Sequence, residues 1–140
     1  MPIEVIGRLP VLKRARTGLW SFDWALGDDG DPGIPLRGGY ELYGDAETGK
    51  STVAYYLAAV IDPKGTVALI DLEVAARMKY IKSAMAQAGF AGKIYYVDHE
   101  NEDGTPRLHW NMLRDGVDML LEDGVSAVIL DSAALVTPVM

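Results

Sequence analysis

The chain has 140 residues, 49% of them hydrophobic, with 13 Lys and Arg against 20 Asp and Glu and a net charge of −7. That is enough apolar material for one soluble globular domain with a real core. The absence of cysteine excludes a disulfide framework, a thiolate metal site and a thiol nucleophile, and the acidic balance argues against a broad electrostatic surface for nucleic acid.

The start, Met1 to Pro10, carries Glu4 and Arg8 and lacks the apolar stretch of a signal peptide. No apolar run reaches membrane-spanning length, and Val125 to Met140 is broken by Asp131. A cytoplasmic protein with no membrane partner is the expectation. The basic cluster Lys13, Arg14 and Arg16 reads as a solvated tail ahead of a binding patch. A short helix is predicted at Ser21–Leu26, with Ser21 as its N-cap and Gly27 as its stop. Trp20, Phe22 and Trp24 are expected to pack as core or interface aromatics. Asp28-Asp29-Gly30-Asp31-Pro32-Gly33 lacks the alternating ligands and terminal Glu of a calcium loop, and reads as a turn.

Gly39–Tyr43 then reads as a strand, entered through the turn Gly38-Gly39. It runs into Gly44-Asp45-Ala46-Glu47-Thr48-Gly49-Lys50-Ser51, which has the form G-x-x-x-x-G-K-S of a phosphate-binding P-loop. Each fixed position answers a physical demand. Gly44 and Gly49 let the backbone turn where a Cβ would clash. The loop N–H groups cradle phosphates, Lys50 supplies a cation for the β- and γ-phosphates, and the Ser51 hydroxyl can ligate Mg²⁺. The helix that follows, Ser51–Ile61, adds positive potential at its N-terminus and is stopped by Asp62-Pro63-Lys64-Gly65. The alternative, a glycine-rich turn with a surface lysine, lacks a reason for the strand and helix on either side.

Further strands are predicted at Thr66–Asp71, Lys93–Asp98 and Ala127–Asp131. Val67-Ala68-Leu69-Ile70 and Val128-Ile129-Leu130 are continuous apolar runs, as in parallel strands buried on both faces. Helices are predicted at Val74–Ala88 and Leu108–Glu122, the second with Trp110, Leu113, Val117, Leu120 and Leu121 on one face. Gly89 and Gly124 sit where C-terminal caps belong. Alternating β and α elements imply an α/β fold with a mostly parallel sheet covered by helices.

Two acids fall at strand ends. Asp131 closes the apolar strand Val128-Ile129-Leu130, at the sheet edge where a P-loop lies. It suits Mg²⁺, bound through water or through Ser51, better than an ordinary turn-capping role. Glu73 follows Asp71-Leu72 at the same edge and can align water on a γ-phosphate. It can equally favour the first turn of the next helix electrostatically. Asp71 competes for the water role, and the residues alone leave the choice open.

The chain resembles the RecA-like recombinase family, and the match is collinear. Thr17-Gly18-Leu19-Trp20-Ser21-Phe22-Asp23-Trp24-Ala25-Leu26-Gly27 is similar to the segment before the family's P-loop strand. Gly38-Gly39-Tyr40-Glu41-Leu42-Tyr43-Gly44 is similar to that strand. Ala68-Leu69-Ile70-Asp71-Leu72-Glu73 resembles the strand with the catalytic glutamate, and Val128-Ile129-Leu130-Asp131-Ser132-Ala133-Ala134-Leu135-Val136-Thr137-Pro138 the Walker B segment. The resemblance implies a three-layer P-loop ATPase core over residues 17–140 after an N-terminal segment 1–16. It implies phosphate and Mg²⁺ roles for Gly44, Asp45, Ala46, Glu47, Thr48, Gly49, Lys50, Ser51 and Thr52. It implies water activation by Glu73 and a metal role for Asp131. Tyr80 falls where the family has a tyrosine near adenine, beside the alternative of a buried helix tyrosine. ATP and Mg²⁺ are the implied cofactors. Single-stranded DNA and further copies in a filament are the implied partners, in homologous recombination and DNA repair.

The sequence departs from the family in places. Asp45-Ala46-Glu47-Thr48 replaces a Pro-Glu-Ser-Ser type of sequence and places acids on both sides of Ala46. Arg77 stands where the family commonly has an acid near the base. In the family the chain continues past the Walker B segment. It there forms the strand between the P-loop and Walker B strands, and carries both DNA-binding loops. The expectation is therefore a core incomplete at its C-terminal end, as in a fragment or one half of a split protein. Two other readings stay open: a RecA-like helicase or clock-type motor, and a nucleotide-dependent interaction or filament module without turnover.

Overall fold

The computed structural model of the chain describes residues 12–28, 30–72, 77–97 and 110–131. Its contacts fall into two compact units, residues 1–41 and 42–140.

In the first unit, β1 (Arg14–Ala15) pairs antiparallel with β2 (Ile34–Pro35), and α1 (Trp20–Leu26) lies between them in the chain. The expected cap at Ser21 is replaced. The residue before the helix is Leu19, which makes no side-chain cap bond, and Ser21 lies inside α1. The entry is instead tied by buried Asp23, which accepts from the Thr17 backbone N–H at 2.7 Å and the Thr17 hydroxyl at 2.8 Å. The Thr17 hydroxyl in turn accepts the Leu19 N–H at 3.1 Å. Local side-chain bonds of this kind satisfy donors that a helix start leaves orphaned. Gly27 does end the helix.

Two other expectations for this unit change: of the core or interface packing expected of the aromatics, the core alternative does not hold for Trp20 and Trp24. Trp20 and Trp24 are exposed and stack on each other, with ring centroids 6.0 Å apart and an interplanar angle of 16°. Four residues apart on one helix face, they meet each other and not a core. Arg14 is not part of a solvated tail. Its guanidinium donates to the carbonyls of Leu26 (2.8 Å) and Gly33 (3.1 Å) and pairs with Asp31 at 3.6 Å.

The second unit is α/β. Its elements are α2 (Lys50–Ile61), β3 (Thr66–Asp71), α3 (Met78–Ala86), β4 (Lys93–Tyr96), α4 (Trp110–Glu122) and β5 (Ala127–Asp131). The three strands form a parallel sheet in the order β4-β3-β5, with Thr66 opposite Lys93 and Asp71 opposite Asp131. The predicted bounds of β3 and β5 match. The strand expected to reach Asp98 ends at Tyr96, though the Val97 N–H still donates to the Leu69 carbonyl at 2.9 Å; Asp98 lies outside the described residues.

Side-chain alternation assigns the layers. Val67, Leu69 and Ile129 pack with Tyr55, Ala58 and Ala59 of α2 and with Ile81, Ala84 and Met85 of α3. Both helices use the spacing i, i+3, i+4, which makes one apolar stripe. The opposite face, with Ile70, Val128 and Leu130, takes Leu113 and Val117 of α4. The chain moves from β3 to β4 over one face and returns past β3 to β5 over the other. Right-handed crossovers require that change of face when the direction of travel reverses. Leu121, expected on the buried stripe, is 48% exposed, because eight residues after Leu113 turn it about 80° away. Gly89 and Gly124 are caps as expected. With φ of 73° and 86°, they let the Phe90 and Val125 N–H groups reach back to Met85 and Leu120.

The strand expected at Gly39–Tyr43 does not form. The run has no regular secondary structure, with exposed Tyr40, Leu42 and Tyr43, the last 89% exposed. A strand needs a hydrogen-bonding neighbour, and none of the described strands pairs with this one. The resemblance places another strand between this run and the one ending at Asp131, and no such strand is among the described residues.

Candidate functional site

The glycine loop ends in α2, which begins at Lys50, one residue before the expected start. Gly49 precedes it with φ of 88°, and Gly44 opens the loop with φ of 155°. A residue with a side chain would be strained in this left-handed conformation at Gly49, although the Cβ itself would meet nothing within 4 Å. Glu47 adopts φ of 61°, an uncommon conformation for a residue with a long side chain. The loop closes on itself. The Thr48 hydroxyl donates to the Asp45 carbonyl at 2.8 Å, and the Lys50 ammonium donates to the Gly44 and Asp45 carbonyls at 2.9 and 2.5 Å. The lysine ammonium is thereby tied to the turn of 44–49 at an exposed position. Asp45, Ala46, Glu47 and Thr48 are exposed, and Gly49, Lys50, Ser51 and Thr52 are half-buried.

From this entry α2 runs back along the sheet to β3, so its N-terminus lies at the C-terminal edge of the strands. Two side-chain contacts establish this. The Tyr55 hydroxyl donates to Asp131 Oδ2 at 3.3 Å, at the tip of β5. The Thr52 and Tyr80 hydroxyls bond to each other, which ties α2 to α3. The two tyrosine rings meet edge to face, with centroids 6.5 Å apart. Ser51 and Tyr55 are four residues apart, hence on the same face of α2. Ser51 is thus on the face that meets the strand tip. Asp71 and Asp131 are in register on adjacent strands, and alternation puts both on the side of α2. Asp71 is buried, and the Leu72 N–H bonds the Asp131 carbonyl at 2.7 Å.

Burial raises the pKa of the Tyr55 hydroxyl well above the ordinary tyrosine value, and the Asp131 carboxylate raises it further. Tyr55 therefore stays protonated and remains a donor to Asp131. Tyr55 was not singled out from the sequence, where it reads as one more large residue on an apolar helix. The available signal was its position one helical turn after Ser51, with a hydroxyl to satisfy in a buried setting.

The contacts are local: Lys50 and Thr48 bond within the loop 44–49, Thr52 bonds Tyr80, and Asp131 meets α2 through Tyr55. Tyr80 is half exposed and not a buried helix tyrosine. Glu73 lies outside the described residues, directly after the edge formed by Asp71 and Leu72. Among the described residues no group of three or more His, Cys, Asp or Glu is placed to hold a metal ion. The carboxylates at the edge are those of Asp71 and Asp131, with Ser51 on the α2 face one turn before Tyr55. This hard-oxygen set suits Mg²⁺, which keeps most of its waters and takes one or two protein ligands beside phosphate oxygens.

Over 120 residues the chain is 31% identical to Protein RecA of Mycoplasma pneumoniae, a stretch covering 84% of this chain and 34% of that protein. The relationship is RecA-like, partial and distant. The chain spans about a third of the length of this curated relative. No family model and no solved structure matches it. Among the described residues no helix is long and apolar enough to cross a membrane.

Proposed function

We propose that the chain is the ATP-binding part of a RecA-like recombination protein, a P-loop ATPase core that acts on single-stranded DNA as part of a larger assembly of like subunits. The observation that carries this reading is the arrangement of loop and acid. A lysine ammonium is tied to a glycine turn at a helix N-terminus, and a carboxylate at the neighbouring strand tip is bonded to that same helix. Separation of a cation for phosphate from an acid for metal, on one sheet edge, is what a Mg²⁺-nucleotide requires.

In this reading the loop N–H groups and Lys50 bind the β- and γ-phosphates. The ammonium exchanges its two carbonyl partners for phosphate oxygens, so little reorganisation is needed. Ser51 and Asp131 would hold Mg²⁺, which when bound neutralises charge on the phosphates. Glu73 would accept a hydrogen bond from water and align that water on the γ-phosphorus. Tyr80, tied to Thr52 beside the loop, would border the base. Asp45 and Glu47 oppose the incoming charge, and their exposure to solvent screens that repulsion.

The test is ATP binding and phosphate release by the 140-residue chain, with and without single-stranded DNA. Lys50→Ala should weaken ATP binding about a hundredfold or more, the loss of a charge-assisted pairing to phosphate. Glu73→Gln should keep binding within a factor of about two and abolish release, since only the water is left unaligned. Unchanged binding in the Lys50 variant would overturn the site. Retained release in the Glu73 variant would overturn that residue's role alone. Binding without release in the unaltered chain would favour the nucleotide-dependent interaction module.

A further inference from the structure

Asp131 and Asp71 stand side by side at the ends of adjacent strands, on the face covered by α2. Neighbouring carboxylates repel, and a half-buried acid without a fixed partner adopts whichever rotamer lowers that repulsion. A metal ligand held at random costs affinity, because each binding event must first order it.

The Tyr55 hydroxyl supplies a fixed partner. Its ring is 3% exposed and set in the core with Ala58, Val67 and Ile129, and its other side meets the Tyr80 ring. A tyrosine so enclosed has one available rotamer, so its hydroxyl is a stationary donor. It donates to Oδ2 of Asp131 over a long 3.3 Å and leaves Oδ1 for another partner. Ser51 sits one turn back on the same helix face. The donor that orients the acid and the hydroxyl expected to share the metal with it therefore belong to one rigid element.

We infer that Tyr55 is the positioning residue of the metal site: it holds the Asp131 carboxylate against α2, so that this acid and Ser51 are poised together for Mg²⁺. The inference rests on the Mg²⁺-nucleotide reading above and adds a residue that neither the glycine loop nor the strand-end acid identifies. Outer partners that orient metal ligands affect metal affinity more than fold stability.

Tyr55→Phe tests it, because it removes the hydroxyl and keeps the packed ring. ATP binding to the 140-residue chain is measured by calorimetry across a Mg²⁺ series and again in EDTA, beside the thermal midpoint. The expected result is a rise of about tenfold in the Mg²⁺ concentration for half-maximal binding, with metal-free ATP affinity and thermal midpoint little changed. Asp131→Asn should show the same rise, and adding Tyr55→Phe to it should cause no further rise, since the two residues act as one unit. An unchanged Mg²⁺ midpoint in Tyr55→Phe overturns the inference and leaves the nucleotide reading standing. So does an equal loss of affinity in EDTA, which would mark Tyr55 as a packing residue. An additive double variant also overturns it. Failure of the unaltered chain to bind ATP at any Mg²⁺ concentration overturns the nucleotide reading, and the inference with it.

Discussion

Single residues carry more of the local order than their type announces. Asp23 looks in sequence like any acid in a first helical turn, yet it organises the entry to α1 through two bonds from Thr17. The Thr17 backbone N–H is the main cause of a carboxyl pKa below the ordinary aspartate value. The sign follows directly. A depressed folded-state pKa stabilises the folded form above the unfolded value, near pH 4, and the contribution is lost as pH falls through the lower folded value. The Thr17 amide should therefore stay protected from hydrogen exchange at pH 5 and lose protection in acid, with a midpoint below pH 4. In Asp23→Asn that acid transition should vanish, because the amide has no carboxylate to lose. A Thr17 amide that exchanges identically in both proteins across the range would remove Asp23 from this role.

At the scale of elements, small residues and apolar stripes decide the packing. Ala58 and Ala59 let α2 lie close on β5, and Ile81, Ala84 and Met85 seat α3 beside it. Met85 is fully buried and also receives the Phe90 N–H that caps α3. Met85→Ala should lower the stability of this unit by about 2–4 kcal/mol, from lost burial and the cavity left behind. Leu121→Ala, on the solvent side of α4, should cost under about 0.5 kcal/mol. Urea unfolding of the two variants beside the unaltered chain gives both values, and equal losses would contradict the assignment of α4's buried face. The element that failed to form is as informative. Gly39–Tyr43 has the residues of a strand, but hydrogen bonds to a neighbour make a strand, and its local sequence cannot supply the neighbour.

For the whole molecule, sequence pattern and tertiary structure divide the work along a physical line. Periodicity and turn chemistry are local, so β3, β5, the caps at Gly89 and Gly124 and the core of each helix were legible residue by residue. The glycine loop was legible because its demands on backbone conformation are local too. The order β4-β3-β5 was not, since pairing joins residues such as Asp71 and Asp131 that are 60 positions apart. Nor was the fate of the aromatics: the same helical spacing serves a core stripe and an exposed pair, and Trp20 and Trp24 form the pair. The amino-acid sequence by itself determined a glycine-rich loop at a helix start, an α/β alternation and acids at strand ends. Only the tertiary structure decided that Asp131 meets α2 through Tyr55 and that Tyr80 meets Thr52. Hydroxyl-to-carboxylate and hydroxyl-to-hydroxyl contacts depend on which helix covers which strand, and that is set by burial over the whole sheet.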